Sequence, residues 1–209
     1  MPNAHAQEGF EIMAPAGGLD AVAAALAGGA DSVYFGAGAL NMRSHSASSI
    51  TLDDLPEIVS RCRDAGAKAY LALNSIVYQQ ELELMDRMLD RAAETGVSAV
   101  IASDSAVIER ARSLGLPVHL STQLSISNFR ALRFYAQFAD VVVLARELSL
   151  DDIADIADAV KREDVRGPSG KPLRIECFCH GALCMAVSGR CNLSYFLRGK
   201  AATAANAST

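Results

Sequence analysis

The chain has 209 residues, of which 51% are hydrophobic and 21% charged, with 15 glycines, 6 prolines and a formal net charge of −5. A chain of this length buries a substantial core in one domain, or at most in two small ones. Its hydrophobic fraction excludes intrinsic disorder, and its net charge provides no global basic surface for nucleic acid. No apolar run approaches the roughly 20 residues of a membrane span. The N-terminus lacks the pattern of an export signal, so we expect a cytoplasmic chain.

Apolar, β-rich runs alternate along the chain with patterns typical of amphipathic helices. The predicted strands are Glu11–Ala16, Asp31–Gly36, Lys68–Leu73, Ala99–Ser103, Val118–Thr122, Val141–Ala145 and Leu173–Phe178. The helices predicted between them are Leu19–Ala27, Leu52–Ala65, Gln80–Thr95, Ser105–Leu114, Asn128–Phe138 and Leu150–Arg162. Glycines in AGGAD, DAGAK and ETGVSA indicate helix ends, because glycine adopts the left-handed conformation that closes a helix.

The strands are nearly continuous apolar runs, such as VIAS and DVVVLA. Such runs are typical of a parallel sheet that is covered on both faces. Strict alternation of strand and helix predicts either a doubly wound sheet or a TIM barrel. A Rossmann dinucleotide site is unsupported, because no GxGxxG follows the first strand.

Polar residues at the strand ends favour the barrel. Asn74, Gln123, Arg146, Glu147 and His180 each follow a predicted strand, and the carboxyl ends of barrel strands converge on one mouth. The alternative for such residues is a structural role. The run 103–105 predicts a helix cap more strongly than a site. Arg146 with Glu147 could equally be a structural ion pair or simple rim charges, whereas Asn74 and Gln123 favour lining a substrate site.

The predicted architecture is an α/β, TIM-like barrel that is incomplete. Seven strands are visible in the sequence, and no eighth strand–helix unit follows them, although a closed barrel of this kind has eight. We expect a flexible N-terminus at residues 1–10, a barrel domain at 11–199 with a cysteine motif at 176–194, and a flexible tail at 200–209. His119 lies inside a predicted strand and is expected to be a buried histidine with satisfied hydrogen bonds.

Five cysteines are unevenly distributed. Cys62 lies in a predicted helix and is expected in the core, whereas Cys177, Cys179, Cys184 and Cys191 are clustered. An odd number of thiols without an export signal favours metal, iron–sulfur or redox chemistry over disulfides. Cys177 and Cys179 are two apart on a predicted strand and share a face, so a site of four thiols is conceivable. The alternative is that these two are small buried hydrophobic residues of the seventh strand.

The segment 176–194 reads ECFCHGALCMAVSGRCNLS. Ten of its positions, at fixed spacing, resemble the signature of the peptidase family "U thirty-two", the collagenase-like proteases. Those positions are Glu176, Phe178, Gly181, Ala182, Leu183, Cys184, Gly189, Cys191, Leu193 and Ser194. Earlier segments, including EIMAPAGGLDAVAAALAGGADSVYFGA and HLSTQLSISN, are similar to the family's barrel, so the resemblance extends from about Glu11 to Gly199.

The resemblance implies a TIM-like barrel and activities beyond proteolysis. Similar proteins include prephenate-dependent tRNA uridine hydroxylation proteins, a ribosomal RNA cytidine hydroxylation protein and a pair that hydroxylates ubiquinone precursors without oxygen. In several of them four cysteines hold a [4Fe–4S] cluster. Cys184 and Cys191 match the first two cluster positions. The other ligands of the family lie further downstream, and this sequence departs from the family pattern after Arg198.

The first functional hypothesis is therefore an iron–sulfur-dependent hydroxylation that acts on tRNA or other RNA, or on a quinone precursor. Arg43, Arg146 or Arg190 would hold an anionic co-substrate such as prephenate, with Asn74 and Gln123 lining the site. His180 would act as an acid or base or contact the anion, although a structural hydrogen bond explains it equally well. Glu147 is the further catalytic candidate.

Two alternatives remain. The first is a peptidase in which Cys184 and His180 form a thiol–imidazole pair, and the sequence contains neither HExxH nor GxSxG. The second is a non-catalytic or partner-dependent subunit, because an open barrel leaves apolar edges that a homo- or hetero-oligomer would cover.

Overall fold

The computed structural model describes residues 9–38, 40–41, 50–181 and 186–189. Seven parallel strands form one sheet in chain order, and each pairs with the next. The strands are β1 (Met13–Ala16), β2 (Ser32–Phe35), β3 (Lys68–Leu73), β4 (Ala99–Ala102), β5 (Val118–Leu120), β6 (Val141–Val143) and β7 (Arg174–Glu176). The helices are α1 (Leu19–Ala27), α2 (Leu55–Asp64), α3 (Leu82–Thr95), α4 (Ser105–Ser113), α5 (Phe129–Tyr135) and α6 (Leu150–Arg162).

The main core lies between the sheet and its helices. Strand residues such as Val100, Leu120 and Val142 are fully buried and pack in one cluster with the inner faces of the helices. On α3 the buried residues are Met85, Met88, Leu89 and Ala92, at the helical spacing of the apolar stripe in the sequence. The prediction of parallel strands covered by helices is therefore confirmed.

The helix ends follow local chemistry. Asp104 caps α4, because its Oδ1 accepts a hydrogen bond from the Ala106 amide at 2.8 Å, as the capping interpretation predicted. Ser149 caps α6 in a reciprocal arrangement with Asp152. The predicted starts of the second and third helices instead form short 3-10 turns, at Leu52–Asp54 and Gln79–Glu81.

The sheet is an open barrel with β1 and β7 as its edges. At the amino end of the strands a salt bridge brings these edges together: Arg174 Nη1 of β7 donates to Glu11 Oε2, just before β1, at 2.9 Å. The incomplete seven-stranded barrel predicted from the sequence is the observed architecture. The predicted flexible termini lie outside the described residues, apart from Gly9 and Phe10. Within the described part of the chain, no helix is long and apolar enough to span a bilayer.

Candidate functional site

The carboxyl ends of the strands bring the predicted polar residues to one end of the barrel, which we call the mouth. Asn74 follows β3, Gln123 lies in the turn Thr122–Leu124 after β5, and Arg146 and Glu147 follow β6. His180 lies four positions beyond the end of β7 and is exposed. The parallel strand order therefore places these residues at the same end, as the barrel prediction required.

Two of the predicted lining residues take part in hydrogen bonds at the mouth, Asn74 through its main-chain carbonyl and Gln123 through its side chain. The Asn74 carbonyl accepts a hydrogen bond from Ser103 Oγ at 3.0 Å. Gln123 is buried, and its Oε1 accepts from Ser121 Oγ at 2.9 Å. These contacts stabilise the polar rim of the mouth. The substrate-binding role of Asn74 and Gln123 stays a prediction.

Glu147 forms hydrogen bonds with Ser188, a residue of the cysteine motif. Its Oε2 accepts from Ser188 Oγ at 2.7 Å, and its Oε1 accepts from the Ser188 amide. Ser188 is fully buried and lies in the turn Val187–Gly189, which packs against the turn Thr122–Leu124 at the mouth. The Ser188 hydrogen bonds, first from the side chain and then from the backbone, lower the pKa of Glu147 below its ordinary value.

Arg146 contacts the same motif at two places. Its Nη2 donates to the Ala186 carbonyl at 3.3 Å, and its guanidinium carbon lies 5.7 Å from the centre of the Phe178 ring. That distance suits a cation–π contact. Arg146 Nε is buried and has no hydrogen-bond partner among the described residues. Neither Arg146 nor Glu147 is thus a simple rim charge.

The seventh strand is shorter than predicted. β7 ends at Glu176 because its partner β6 ends at Val143, so Cys177 and Cys179 lie beyond the strand. Both are exposed, and the interpretation of these two thiols as buried hydrophobic residues was wrong. Desolvation of the sulfur, followed by the nearby Glu176 charge, raises the pKa of the Cys177 thiol. Cys62 is buried in α2, as expected.

The residues that would hold an iron–sulfur cluster are only partly described. Cys184 and Cys191, together with Arg43 and Arg190, lie outside the described residues. Within the described ranges no group of three His, Cys, Asp or Glu side chains could hold a metal ion. The donor type fits, because such clusters are bound by about four thiolates and Cys177 and Cys179 present two exposed thiols after β7.

A second polar cluster lies inside the barrel, and the sequence analysis missed most of it. Glu11 Oε2 accepts from Lys68 Nζ at 2.6 Å, and Glu11 Oε1 accepts from the Tyr70 hydroxyl. The Tyr70 and His119 rings lie 4.5 Å apart between centroids. One signal in the sequence could have indicated this cluster. Lys68 and Tyr70 are polar residues two positions apart on an otherwise apolar strand, and alternate positions of a strand point to the same face of the sheet.

His119 is buried, as predicted, but the expectation that its hydrogen bonds are satisfied was wrong. Among the described residues no partner bonds its Nδ1, and the nearest carboxylate, Glu176 Oε2, lies 4.0 Å away. Desolvation, with the Arg174 charge second, lowers the pKa of His119 to about 4. Desolvation and the Glu11 charge raise the pKa of Glu176 to about 7. The imidazole is therefore neutral at pH 7.

The fold and the mouth together define an open (β/α) barrel protein with a cysteine-rich segment fastened to its mouth. The chain belongs to Peptidase family U32, whose family model matches residues 17–206. The signature resemblance found in the sequence is thereby confirmed.

The relatives of this chain are named for two kinds of activity. The chain is 54% identical over 185 residues to a protein of Porphyromonas gingivalis called Collagenase, covering 88% of this chain and 45% of that protein. It is 35% identical over 187 residues to tRNA hydroxylation protein P1 of Bacillus subtilis, covering 88% and 42% respectively. The chain therefore spans less than half the length of these relatives.

Among solved structures, the U32 peptidase Mk0906 aligns with a TM-score of 0.56 and 14% identity, covering 71% of this chain and 64% of that one. A likeness at this identity establishes the fold, and function rests on the site.

Proposed function

We propose that this chain is the barrel part of a hydroxylation protein that acts on RNA and uses an iron–sulfur cluster bound at the mouth. The observation that carries the proposal is the fixed position of Ala186 and Ser188, which lie between Cys184 and Cys191 in the sequence. Exposed Cys177 and Cys179 follow β7 at the same end of the barrel. A relative named for tRNA hydroxylation supports the choice of RNA as substrate.

The cluster would be held by Cys184 and Cys191, with Cys177 and Cys179 as the local candidates for further ligands, and it would supply electron transfer. The residues of this chain would bind and orient the reactants. Arg146 has five N–H donors, and the described contacts use only the one at Nη2. Its remaining Nη donors suit an anionic co-substrate such as prephenate, as do the guanidinium donors of Arg43 and Arg190.

His180 and Glu147 were the other predicted catalytic residues. His180 is exposed near the thiols, so it can contact a bound anion or exchange protons with a reactant. With RNA as the substrate, we propose that the reaction takes place in the cytoplasm, which is also the expectation from the sequence. A quinone precursor is the competing substrate class that the family resemblance allows.

Iron binding is tested with the full 209-residue chain, reconstituted anaerobically with iron and sulfide. We expect wild type and Cys62→Ala to bind iron equally, because Cys62 is buried in α2. Cys184→Ser should retain less than about a tenth of the iron, because a lost thiolate leaves the cluster short of ligands. The measurement is iron content together with cluster absorbance. Equal iron in all three proteins would exclude the role of Cys184.

The substrate is tested by incubating the reconstituted chain with unmodified tRNA transcript and prephenate, and in parallel with a quinone precursor. Mass spectrometry should find one added oxygen on a pyrimidine nucleoside of the tRNA. Oxygen added to the quinone precursor alone would replace the RNA proposal by the quinone one.

A peptidase is the second candidate, because the relative at 54% identity carries the name Collagenase. The chemistry would need an activated nucleophile, and Cys184 with His180 is the pair that the sequence offers. We expect purified wild type to leave denatured collagen intact over hours. Cleavage by wild type and by Cys62→Ala, with none by Cys184→Ser, would support the peptidase instead.

A further inference from the structure

We propose that Glu147 is a positioning residue that fastens the segment between Cys184 and Cys191 to the mouth, with Arg146 as a second attachment point. The two residues are adjacent in the turn that follows β6, so one short segment carries both attachments. The proposal deepens the proposed function, on which it depends only for what the cysteines bind.

The contact between Glu147 and Ser188 is specific, and its Ser188 side is buried. Both carboxylate oxygens are used, one by the Ser188 hydroxyl and one by its amide. Ser188 is fully buried, whereas its neighbour Val187 is 66% exposed, so the turn has a defined inward face. Hydrogen bonds to a charged acceptor are roughly twice as strong as neutral ones.

The backbone of Ser188 indicates that this contact is needed. Its φ is 45°, in the left-handed region that non-glycine residues adopt only at a cost. Such a conformation persists when surrounding contacts fix it. The two hydrogen bonds from Ser188 to Glu147, and the packing of the turn on Thr122–Leu124, supply those contacts.

The attachment points lie between neighbouring cysteines in the sequence. Ala186 follows Cys184 by two residues, and Ser188 precedes Cys191 by three. On the other side Arg146 lies over Phe178, which stands between Cys177 and Cys179. Each pair of cysteines thus brackets a residue that Arg146 or Glu147 contacts. Fixing these residues limits how far the connected thiols can move.

Glu147 is poorly suited to the acid–base role that the sequence suggested. Both of its oxygens already accept hydrogen bonds from Ser188, and the same bonds lower the pKa of the carboxyl group. A carboxylate held in the ionised form is a weak base and has no proton to donate at neutral pH. Its contacts instead match the support that orients ligands from outside a site.

The test measures how fast iodoacetamide alkylates each cysteine in the full chain, kept reduced, anaerobic and free of metal by a chelator. Peptide mass spectrometry gives a rate for every thiol. In Glu147→Ala we expect Cys184 and Cys191 to react about tenfold faster than in wild type. Loss of the Ser188 bonds raises the population of molecules in which the turn Val187–Gly189 is detached from the mouth. Ser188→Ala, which removes only one of the bonds, should give a smaller increase in the same direction.

The matched control is Glu57→Ala, which removes an exposed carboxylate that is paired with Arg61 on α2 and not with the cysteine motif. Its rates should equal those of wild type. Cys62 reports on global folding, since it is buried and should stay unreactive in every variant. Rates at Cys184 and Cys191 that stay within twofold of wild type in both Glu147→Ala and Ser188→Ala would overturn the proposal.

Iron content, measured on the same variants, separates this inference from the proposed function. If the cysteines of Glu147→Ala are alkylated faster but wild type binds no iron, the attachment by Glu147 is supported and the proposed cluster is contradicted. If Glu147→Ala exposes Cys62 by unfolding, Ser188→Ala decides, and unchanged rates in that variant overturn the attachment.

Discussion

Replacing Glu11 by glutamine should lower the free energy of unfolding by about 2 kcal/mol at pH 7. Glu11 accepts hydrogen bonds from Lys68, Tyr70 and Arg174, and its bond to Arg174 joins the two edges of the open barrel. Burial opposes ionisation, but the hydrogen bonds from Lys68 and Tyr70 and the Lys68 charge outweigh it, lowering the pKa of Glu11 to about 2. Because Lys68 and Arg174 are half exposed, solvent screening reduces the effect below the full shift.

The loss of stability in Glu11→Gln should depend on pH. A carboxyl whose folded pKa is about 2 and whose ordinary value is 4.5 stabilises the fold fully above pH 4.5 and loses this contribution as the pH falls towards 2. Urea unfolding of wild type and Glu11→Gln should therefore give curves that converge between pH 4.5 and 2. The control is Glu57→Gln, whose exposed pair with Arg61 should change stability by less than about 0.5 kcal/mol. An equal effect of both substitutions at pH 7 would contradict the prediction.

Replacing His119 by glutamine should make the barrel less sensitive to acid. The folded pKa of His119 is about 4 against an ordinary value of 6.5, because burial disfavours the charged ring. The neutral ring is therefore favoured on folding, and stability falls as the pH drops from 6.5 towards 4. Glutamine does not titrate, so the variant should gain about 3 kcal/mol relative to wild type across that window.

The wild-type profile alone cannot show this effect, because Glu176 acts in the opposite direction. Its pKa of about 7 in the fold means that protonation of Glu176 stabilises the barrel as the pH falls from 7 to 4.5. The measurement is the difference in unfolding free energy between His119→Gln and wild type at pH 7.5 and at pH 4.5. Parallel profiles would contradict the prediction. The charged or titratable groups that face His119 are Glu11, Lys68, Tyr70, Asp140, Arg174 and Glu176.

The two ends of the barrel differ in what their polar groups do. At the amino end, Glu11 forms salt bridges with Lys68 and Arg174 and connects β1 with β7. At the mouth, Arg146 and Glu147 contact the cysteine motif. The stability of the barrel and the position of the cysteine motif therefore depend on separate groups. Substitutions at one end of the barrel should leave the contacts at the other end intact.

The candidate site was predictable in position but not in its contacts. The rule that parallel strand ends converge placed Asn74, Gln123, Arg146 and Glu147 at one mouth before any coordinates. The partner of Glu147 was not predictable, because Ser188 lies 41 residues further along the chain. The exposure of Cys177 and Cys179 also escaped prediction, because it depends on where the neighbouring β6 ends.

The sequence by itself determined the order of strands and helices, since burial and periodicity are local properties: β3, α1 and α6 have the predicted ends. It also determined the family, through ten residues at fixed spacing, and the family model that matches residues 17–206 confirms that family. Only the tertiary structure decided which charges meet. The Arg174–Glu11 bond joins residues 163 positions apart, and such contacts depend on how the whole sheet curves rather than on any segment of it.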